Sequence, residues 1–258
     1  MTAPGTRVHV RPDAVRGARI VLDASETRHV RRVLRLNVGD LVRAMDGLGH
    51  EWTVRLTALG ARAEGEILEA GAPAEESPLA LTLAQGIPKG DKLETIIRMS
   101  TELGVASVAP LITTRSIARE EHGRWAVRRA RWERVAREAS KQCGRAVVPG
   151  VAAPVALGDW LAARDARDRG GVLVCLWERE TAPLAELLPA ARPARAAVVV
   201  GPEGGLGDDE VEALRAAGAL VAGLGPRLLR TETAGPVAVA LLQARWGDLG
   251  RRVDGIGP

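Results

Sequence analysis

The residues best suited to chemistry form a glycine-rich loop after an apolar run. Val198–Val200 leads into Gly201–Gly205, and the acidic residues Asp208–Glu210 suit the first turn of a following helix. Glycines in such a loop let the backbone approach a ligand closely. The loop lacks both the Gly-Lys-Ser/Thr ending of a P-loop and the Gly-x-Gly-x-x-Gly dinucleotide spacing. It therefore favours a neutral or cationic cofactor, although an ordinary strand-to-helix turn also explains the glycines alone.

A second segment concentrates polar groups beside a tight turn. Two arginines, two threonines and a glutamate follow the turn Leu224–Pro226. A helix of small residues comes next, and Thr231 or Thr233 is expected to cap it. Capping accounts for one threonine and the glutamate, but it does not account for Arg230 and Glu232 beside the turn. We therefore interpret this segment as the second part of a site.

Two patterns of secondary structure position these segments. Before residue 69 the chain predicts short strands bounded by Gly, Pro and Asp, as in a small barrel, at 8–10, 19–22, 41–45, 52–56 and 63–68. A helix is predicted over 25–35, with Ser25 as its N-cap and Val33 facing the barrel.

From residue 79 strands alternate with helices, which indicates an α/β domain with a mostly parallel sheet. The predicted strands are 79–84, 105–111, 172–177, 196–200 and 220–224, and the predicted helices are 89–103, 125–141, 183–188, 208–217 and 233–246. The segment Ala70–Pro78 predicts a linker, because it is small, polar and contains proline. We therefore divide the chain into domains at 1–72 and 73–258.

Composition narrows the class of protein. The chain has 258 residues and a formal charge of +4, so a polyanionic partner is plausible. It contains no Tyr or Phe, which excludes the aromatic platform of an RRM module. Two cysteines and four histidines provide neither a disulfide framework nor a credible metal site. No apolar run approaches the roughly 20 residues that cross a bilayer, and we expect no membrane association and a cytoplasmic location.

Five motifs together resemble the ribosomal RNA small-subunit methyltransferase E family. They are the glycine-rich loop, the segment Leu224–Ala234, Lys89–Glu94, Thr101–Val105 and Glu138–Arg145. The resemblance extends from His29 to Leu249, with one departure at Leu206, where relatives often carry an aromatic residue. It implies an N-terminal PUA-like β-barrel and a C-terminal SPOUT α/β domain with a mostly parallel sheet and a deep trefoil knot, a rare exception to unknotted folding.

The resemblance also implies a cofactor, a product and partners. The cofactor is S-adenosylmethionine, bound by Leu176, Trp177, Gly201, Pro202, Glu203, Gly204, Gly205, Leu224, Gly225, Pro226, Leu228, Leu229, Arg230 and Thr231. The product is N3-methyluridine near the decoding centre of 16S rRNA, made on the small ribosomal subunit. The enzyme is expected to be a homodimer with its active sites at the subunit interface.

The chemistry of this reaction assigns roles to three residues. Uridine N3 carries a proton at neutral pH, which must leave before or during attack on the methyl group. Arg230 is the candidate that stabilises the developing uridine anion near O2 or O4. Glu232 or Glu203 accepts the proton directly or through water, or instead orients Arg230. Because N3 lies on the pairing edge, the base must be unpaired or flipped out.

Basic segments supply the predicted RNA contacts. The predicted residues are His29, Arg31, Arg32, Arg35, Lys89, Arg124, Arg128, Gln142 and Arg145. Helical spacing places the first arginines on one side of the 25–35 helix, where a solvated face is the alternative interpretation. Gln142 and Arg145 are expected beyond the end of the 125–141 helix, near the target nucleotide. Trp125 and Trp132 are interpreted as core residues of that helix, with Arg124 and Arg128 on another face.

Two other functions remain open at this point. One is a SPOUT ribose 2′-O-methyltransferase, which typically has a Ser-Leu-Asn third motif, whereas this chain has Arg230–Ala234 there. The other is a non-catalytic RNA-binding factor of ribosome assembly. Cofactor binding distinguishes the second alternative, because a non-catalytic relative should lose cofactor affinity.

Overall fold

The computed structural model of the chain describes residues 6–72, 75–116, 124–165 and 170–251. The chain divides into two compact units, one of Met1–Glu76 with Arg137–Val148 and the other of Ser77–Ala136 with Pro149–Pro258. The predicted domains place 137–148 with the second part of the chain, whereas the contacts group it with the first. Positions 73 and 74 of the predicted linker lie outside the described residues.

The N-terminal unit contains a six-stranded mixed sheet in the order β1-β4-β5-β6-β3-β2. Its strands are β1 Arg7–His9, β2 Val15–Arg16, β3 Arg19–Val21, β4 Leu41–Met45, β5 Glu51–Leu59 and β6 Ala63–Ala70, and a short 3-10 helix spans Pro12–Ala14. Only β1 and β4 pair in parallel within the described part of this sheet. Alternating apolar residues of these strands form one core, which includes Val8, Ile20, Val42 and Leu56.

A short helix in this unit differs in detail from its prediction. Helix α1 spans Ala24–Arg28 and continues as a π-helical turn, His29–Val33. Asp23, not Ser25, is the N-cap, because its carboxylate accepts hydrogen bonds from the backbone N–H groups of Ser25 and Glu26. The π turn shifts the helical phase, and Val33 is 67% exposed instead of facing the core.

The second unit contains a parallel sheet in the order β10-β8-β7-β12-β11-β13, with β9 also pairing with β8. Its strands are β7 Ala80–Gly86, β8 Ser107–Ile112, β9 Gly150–Val151, β10 Val155–Ala156, β11 Val172–Leu176, β12 Arg195–Val200 and β13 Leu220–Ala222. The predicted parallel α/β architecture is therefore confirmed. The short strands β2, β9 and β10 were not predicted, because two-residue strands leave no periodic signal.

Helices cover both faces of this sheet. They are α2 Lys92–Glu102, α4 Leu157–Asp165, α5 Leu184–Leu187, α6 Asp208–Ala216 and α7 Thr231–Trp246. Helix α3, Arg124–Cys143, begins in this unit, and its residues from Arg137 onward belong to the first unit. Leu173, Cys175 and Val199 share a core cluster with residues of α4 and α6. On the other face, Leu83 lies beside Gly235 of α7. Burial on both faces explains why these strands are apolar runs rather than alternating ones.

Candidate active site

The predicted site loops follow three neighbouring parallel strands. In the sheet register Leu176 at the end of β11 lies beside Val200 of β12 and Ala222 of β13. The carboxyl ends of these strands therefore meet at one edge, where open α/β sheets bind ligands. A cavity of about 630 Å³ lies there. This size falls within the roughly 300–1,000 Å³ of small-molecule sites.

All of the predicted cofactor-binding and catalytic residues line this cavity. They are Leu176, Trp177, Gly201, Pro202, Glu203, Gly204, Gly205, Leu224, Gly225, Pro226, Leu228, Leu229, Arg230, Thr231 and Glu232. Four charged lining residues, Lys92, Glu178, Glu180 and Arg227, were not among the predicted site residues. Lys92 lies inside the Lys89–Glu94 motif, but the local sequence gives no sign that it reaches this edge.

The glycine-rich loop depends on the small size of its residues. Gly205 has a φ of +71°, and a Cβ there would lie 2.5 Å from Glu178 Oε1. A left-handed backbone favours glycine, and the close carboxylate excludes a side chain. The Arg115 guanidinium donates a hydrogen bond to the Gly204 carbonyl over 2.9 Å, which holds the loop from outside. This loop is therefore shaped for close packing of its backbone against its surroundings.

A lysine and two glutamates form a charged cluster at the cavity. Lys92 Nζ lies 2.9 Å from Glu203 Oε1 and 3.4 Å from Glu232 Oε2. The backbone N–H of Lys89 also donates to Glu203 over 3.1 Å. Partial burial alone would raise the pKa of Glu203, but the hydrogen bonds from Lys92 and from backbone N–H groups outweigh it and lower that pKa. Glu203 is therefore held ionised in this cluster.

Arg230 projects from the cavity instead of being fixed within it. Its side chain is 85% exposed, and its guanidinium lies 3.9 Å from Glu232 Oε1. Arg230 is the N-cap residue of α7, and no side chain caps this helix. The predicted caps Thr231 and Thr233 were wrong, because the Thr231 hydroxyl donates instead to the Gly201 carbonyl over 2.7 Å. The exposed arginine remains available to a substrate at the mouth of the cavity.

Family models match both parts of the chain. A model described as an RNA methyltransferase domain matches residues 75–243, and one described as an RNA methyltransferase PUA domain matches residues 22–67. Ribosomal RNA small subunit methyltransferase E of Synechocystis is 34% identical over 239 residues, which cover 92% of this chain and 77% of the relative. The chain belongs to the ribosomal RNA small subunit methyltransferase E family. The expected SPOUT fold class with a PUA-like domain is thereby confirmed.

Solved structures of relatives match over nearly the whole chain. The crystal structure of the family member from Neisseria gonorrhoeae, bound to S-adenosyl methionine, is 33% identical, covers 94% of this chain and 98% of its own, and has a TM-score of 0.84. A Legionella pneumophila protein in complex with the cofactor SAM is 31% identical, covers 96% and 100% of the two chains, and has a TM-score of 0.88. The chain is therefore similar over nearly its whole length to relatives whose structures hold the cofactor.

The N-terminal residues predicted to contact RNA are mostly accessible. Arg31, Arg32 and Arg35 are exposed at or after the π turn, and His29 is half-buried. Arg35 has a φ of +54°, which is uncommon for a residue other than glycine. The basic face of this turn is therefore open to solvent.

Two further predicted RNA contacts belong to the N-terminal unit. Gln142 is exposed but lies within α3, not beyond its end, since the helix extends to Cys143. Arg145 Nη2 lies 2.6 Å from Glu76 Oε2, and its side chain is 12% exposed. This ion pair engages Arg145 in a contact within its own unit.

In the second unit, Lys89 and Arg124 are exposed. The prediction that Arg128 lies on a different face of the helix from the tryptophans was wrong. Its guanidinium carbon lies 5.2 Å from the Trp125 ring and 5.4 Å from the Trp132 ring. Trp132 is buried, as predicted, and Trp125 is half-buried. Arg128 therefore packs over both rings as a cation–π contact.

The described residues contain no group of three or more His, Cys, Asp or Glu residues that is arranged to hold a metal ion. Among the helices in the described part of the chain, none is long and apolar enough to cross a membrane.

Proposed function

We propose that the chain is an S-adenosylmethionine-dependent methyltransferase of small-subunit ribosomal RNA, and that it methylates N3 of a uridine near the decoding centre of 16S rRNA. The small ribosomal subunit is then its substrate, which would place the reaction in the cytoplasm. The observation that carries the proposal is the convergence of the three loops at one cavity, with Arg230 exposed at its edge. Family membership supports methyl transfer to RNA.

The lining of the cavity suits a cationic cofactor. Four lining residues are glutamates, Glu178, Glu180, Glu203 and Glu232. Of the three basic lining residues, Lys92 is already paired with two of these glutamates, and Arg227 and Arg230 are exposed to solvent. The indole Nε1 of Trp177 is buried and has no hydrogen-bond partner among the described residues. An unpartnered buried donor is unfavourable in the protein alone, and a polar atom of a bound ligand would satisfy it. The backbone at Gly205, which packs closely against Glu178, forms one side of the cavity.

The residues at this cavity suit proton removal and charge stabilisation. S-adenosylmethionine supplies the electrophilic methyl group when it is bound. The N3–H bond breaks as the N3–CH3 bond forms, and the methyl–sulfur bond breaks in the same transfer. Arg230, whose side chain is 85% exposed, stabilises the negative charge that develops on O2 or O4. Glu232 or Glu203 receives the proton, directly or through water.

Glu232 is the better placed of the two carboxylates to receive a proton. Its Oε2 is buried and accepts no hydrogen bond from the described residues, with Lys92 Nζ at ion-pair distance. Glu203, by contrast, accepts from both Lys92 and the Lys89 backbone. Hydrogen bonds to the ionised form make a carboxylate a weaker base. Glu203 then acts by orienting Lys92 and the loop.

We propose that several exposed residues contact the RNA backbone: the arginines of the π turn, Lys89, Arg124 and Gln142.

We also propose that the protein is a homodimer. Leu228, 83% exposed beside the cavity, is an apolar side chain that a second protomer or the substrate would cover. Sedimentation of the purified protein distinguishes a dimer from a monomer.

Nucleoside mass spectrometry tests the reaction. The protein is incubated with methyl-labelled S-adenosylmethionine and unmethylated small subunits, and wild type is compared with Arg230→Ala and Arg195→Ala. Arg195 is an exposed arginine at the amino end of β12, the opposite end from the cavity, so it is a matched control for loss of charge. Labelled N3-methyluridine from wild type and Arg195→Ala, with a loss of about 100-fold or more in Arg230→Ala, supports the proposal. A labelled ribose 2′-O-methyl product would overturn the base-specific assignment, and absence of cofactor binding would favour a non-catalytic factor.

A further inference from the structure

A buried glutamine forms hydrogen bonds with two segments that line the cavity. Gln85 at the end of β7 is completely buried. Its Nε2 donates to the Thr231 hydroxyl over 3.0 Å and to the Gly201 carbonyl over 3.2 Å. The Thr231 hydroxyl in turn donates to the same Gly201 carbonyl over 2.7 Å. The three residues therefore form a closed hydrogen-bonded triangle between β7, the glycine-rich loop and the start of α7.

The amide of Gln85 is not explained by core packing. Its Oε1 is buried and accepts no hydrogen bond from the described residues. A buried acceptor without a partner destabilises a protein, and an apolar side chain of the same shape would avoid that loss. The stabilising contacts of this side chain all come from its nitrogen, which also lies 3.1 Å from the Gly86 carbonyl. The amide therefore serves to hold the neighbouring loops.

Helix α7 is also adapted to this side chain. A Cβ at Gly235 would lie 2.9 Å from Gln85 Oε1. Glycine inside a helix is less favourable than alanine by up to about 1 kcal/mol. The chain thus carries a glycine in the first turns of α7 that leaves room for the amide. The helical Gly235 is therefore a second unfavourable feature, after the unpartnered Oε1, that accompanies the hydrogen bonds of Gln85.

Both loops that Gln85 holds line the cavity at Gly201 and Thr231. They leave different strands and lie 30 positions apart in the chain. Side chains set the spacing between these two residues, because the Thr231 hydroxyl and the Gln85 amide both donate to the Gly201 carbonyl. We infer that Gln85 is a positioning residue, whose amide fixes the separation of the glycine-rich loop and the α7 N-terminus, and thereby the affinity for the methyl donor. This inference rests on the proposed function, since it assigns the cavity to S-adenosylmethionine.

Calorimetric titration with S-adenosylmethionine tests this role in the full chain. Gln85→Met keeps the length of the side chain and removes the donor, and Thr231→Val removes the hydroxyl. Each is expected to weaken cofactor binding about tenfold, which is the effect of losing a buried hydrogen bond or two. Because both belong to one triangle, the double variant should lose less than the product of the two single losses. Thr231→Ser retains the hydroxyl and should bind more tightly than Thr231→Val.

A matched control lies on the same strand. Thr82 of β7 shares a side-chain hydrogen bond of 2.9 Å with Ser107 and is not a lining residue of the cavity. Thr82→Val should leave cofactor affinity within about twofold of wild type. In the methylation assay, Gln85→Met should raise the KM for the cofactor and leave the KM for small subunits unchanged. A general loss of folding would instead lower the maximal rate and leave both KM values unchanged.

The outcomes separate the two proposals. Cofactor binding by wild type that is equally tight in Gln85→Met and Thr231→Val would overturn the positioning role and leave the proposed function standing. Absence of cofactor binding by folded wild type would overturn the proposed function, and this inference with it. If Gln85→Met does not fold, Thr231→Val and Thr231→Ser test the same triangle, because only the first removes the hydroxyl that joins Gln85 to the Gly201 carbonyl, and equal cofactor affinity in the two would overturn the positioning role.

Discussion

Lys92 Nζ lies 2.9 Å from Glu203 Oε1, although 111 positions separate the two residues. The hydrogen bond that Lys92 donates to Glu203 raises the pKa of Lys92. The same ammonium faces Glu232, so one positive charge is shared between two carboxylates at the cavity. This arrangement ties the start of α2 to both predicted site loops, and it links the ionisation of Glu203 to the presence of the lysine.

Lys92→Met should raise the pKa of Glu203. In the wild type that pKa lies below its ordinary value of 4.5, so the stabilisation from the ion pair is present above about pH 4.5 and is lost as the pH falls through the lowered pKa. Removing the ammonium leaves partial burial as the main influence, which favours the protonated form. A pH titration of 13C-labelled glutamate carboxyls by NMR measures the midpoint.

Lys89→Met is the matched control for this titration. Lys89 contacts Glu203 through its backbone N–H, which the substitution retains. The Glu203 midpoint should therefore remain near that of wild type. If Lys92→Met and wild type titrate at the same pH, the ion pair does not set the ionisation of Glu203.

Gly205→Ala should disturb the cavity as well as the backbone. Its φ of +71° is strained for alanine by about 1–2 kcal/mol, and the new methyl group would also meet the Glu178 carboxylate. Gly218→Ala separates these effects, because Gly218 has a φ of +80° with open space around it. Urea denaturation should show a similar backbone loss in both variants, with the larger loss in Gly205→Ala. Cofactor affinity should fall only in Gly205→Ala, and an equal affinity in the two would show that the glycine-rich loop does not shape the site.

Replacing Arg31 and Arg32 by alanine should weaken RNA binding most at low salt. Both side chains are exposed at the π turn. If each contacts one phosphate, the slope of log affinity against log salt should decrease by roughly 1.4–1.8 in total. Filter binding of a small-subunit RNA at several salt concentrations measures it. Arg11→Ala is the control, because Arg11 is paired with Asp13 at 2.7 Å, and a slope unchanged in the double variant would exclude this turn from the RNA contact.

Glu26→Gln should destabilise the N-terminal unit. Glu26 Oε1 lies 2.7 Å from Lys141 Nζ, and the lysine side chain is 6% exposed. Removing the partner of a buried charge typically destabilises by about 3–5 kcal/mol. The second partner of Lys141, Glu138 at 2.9 Å, should keep the loss near the lower end of this range. Chemical denaturation measures it, with Glu138→Gln expected to lose under about 1 kcal/mol because Glu138 is half exposed. Equal losses would contradict the assignment of Glu26 as the main partner.

Local sequence patterns were sufficient for the longer strands and for every helix from α1 to α7 except α4. Apolar runs bounded by Gly and Pro predicted the long strands of both sheets, and all of the predicted cofactor-binding and catalytic residues line the cavity, although Arg227 and Ala234 of the second loop line it without having been predicted. Helix α4, Leu157–Asp165, was missed although it contributes Leu157 and Leu161 to the core. Its short length and weak periodicity give little local signal. Cap positions also failed at Ser25, where the neighbouring Asp23 carboxylate caps the helix, and at Thr231, whose hydroxyl donates to the distant Gly201 carbonyl.

The sequence by itself determined which segments carry chemistry, because glycine-rich turns and charged residues after buried strands are encoded locally. It did not determine which distant side chains meet. The contact between Lys92 and Glu203, the Gln85 link between Gly201 and Thr231, and the pairing of Arg145 with Glu76 all depend on the order of strands and the path of the chain. Hydrogen bonds and ion pairs act over about 3–4 Å, and only the folded sheet brings groups from such separate segments within that distance.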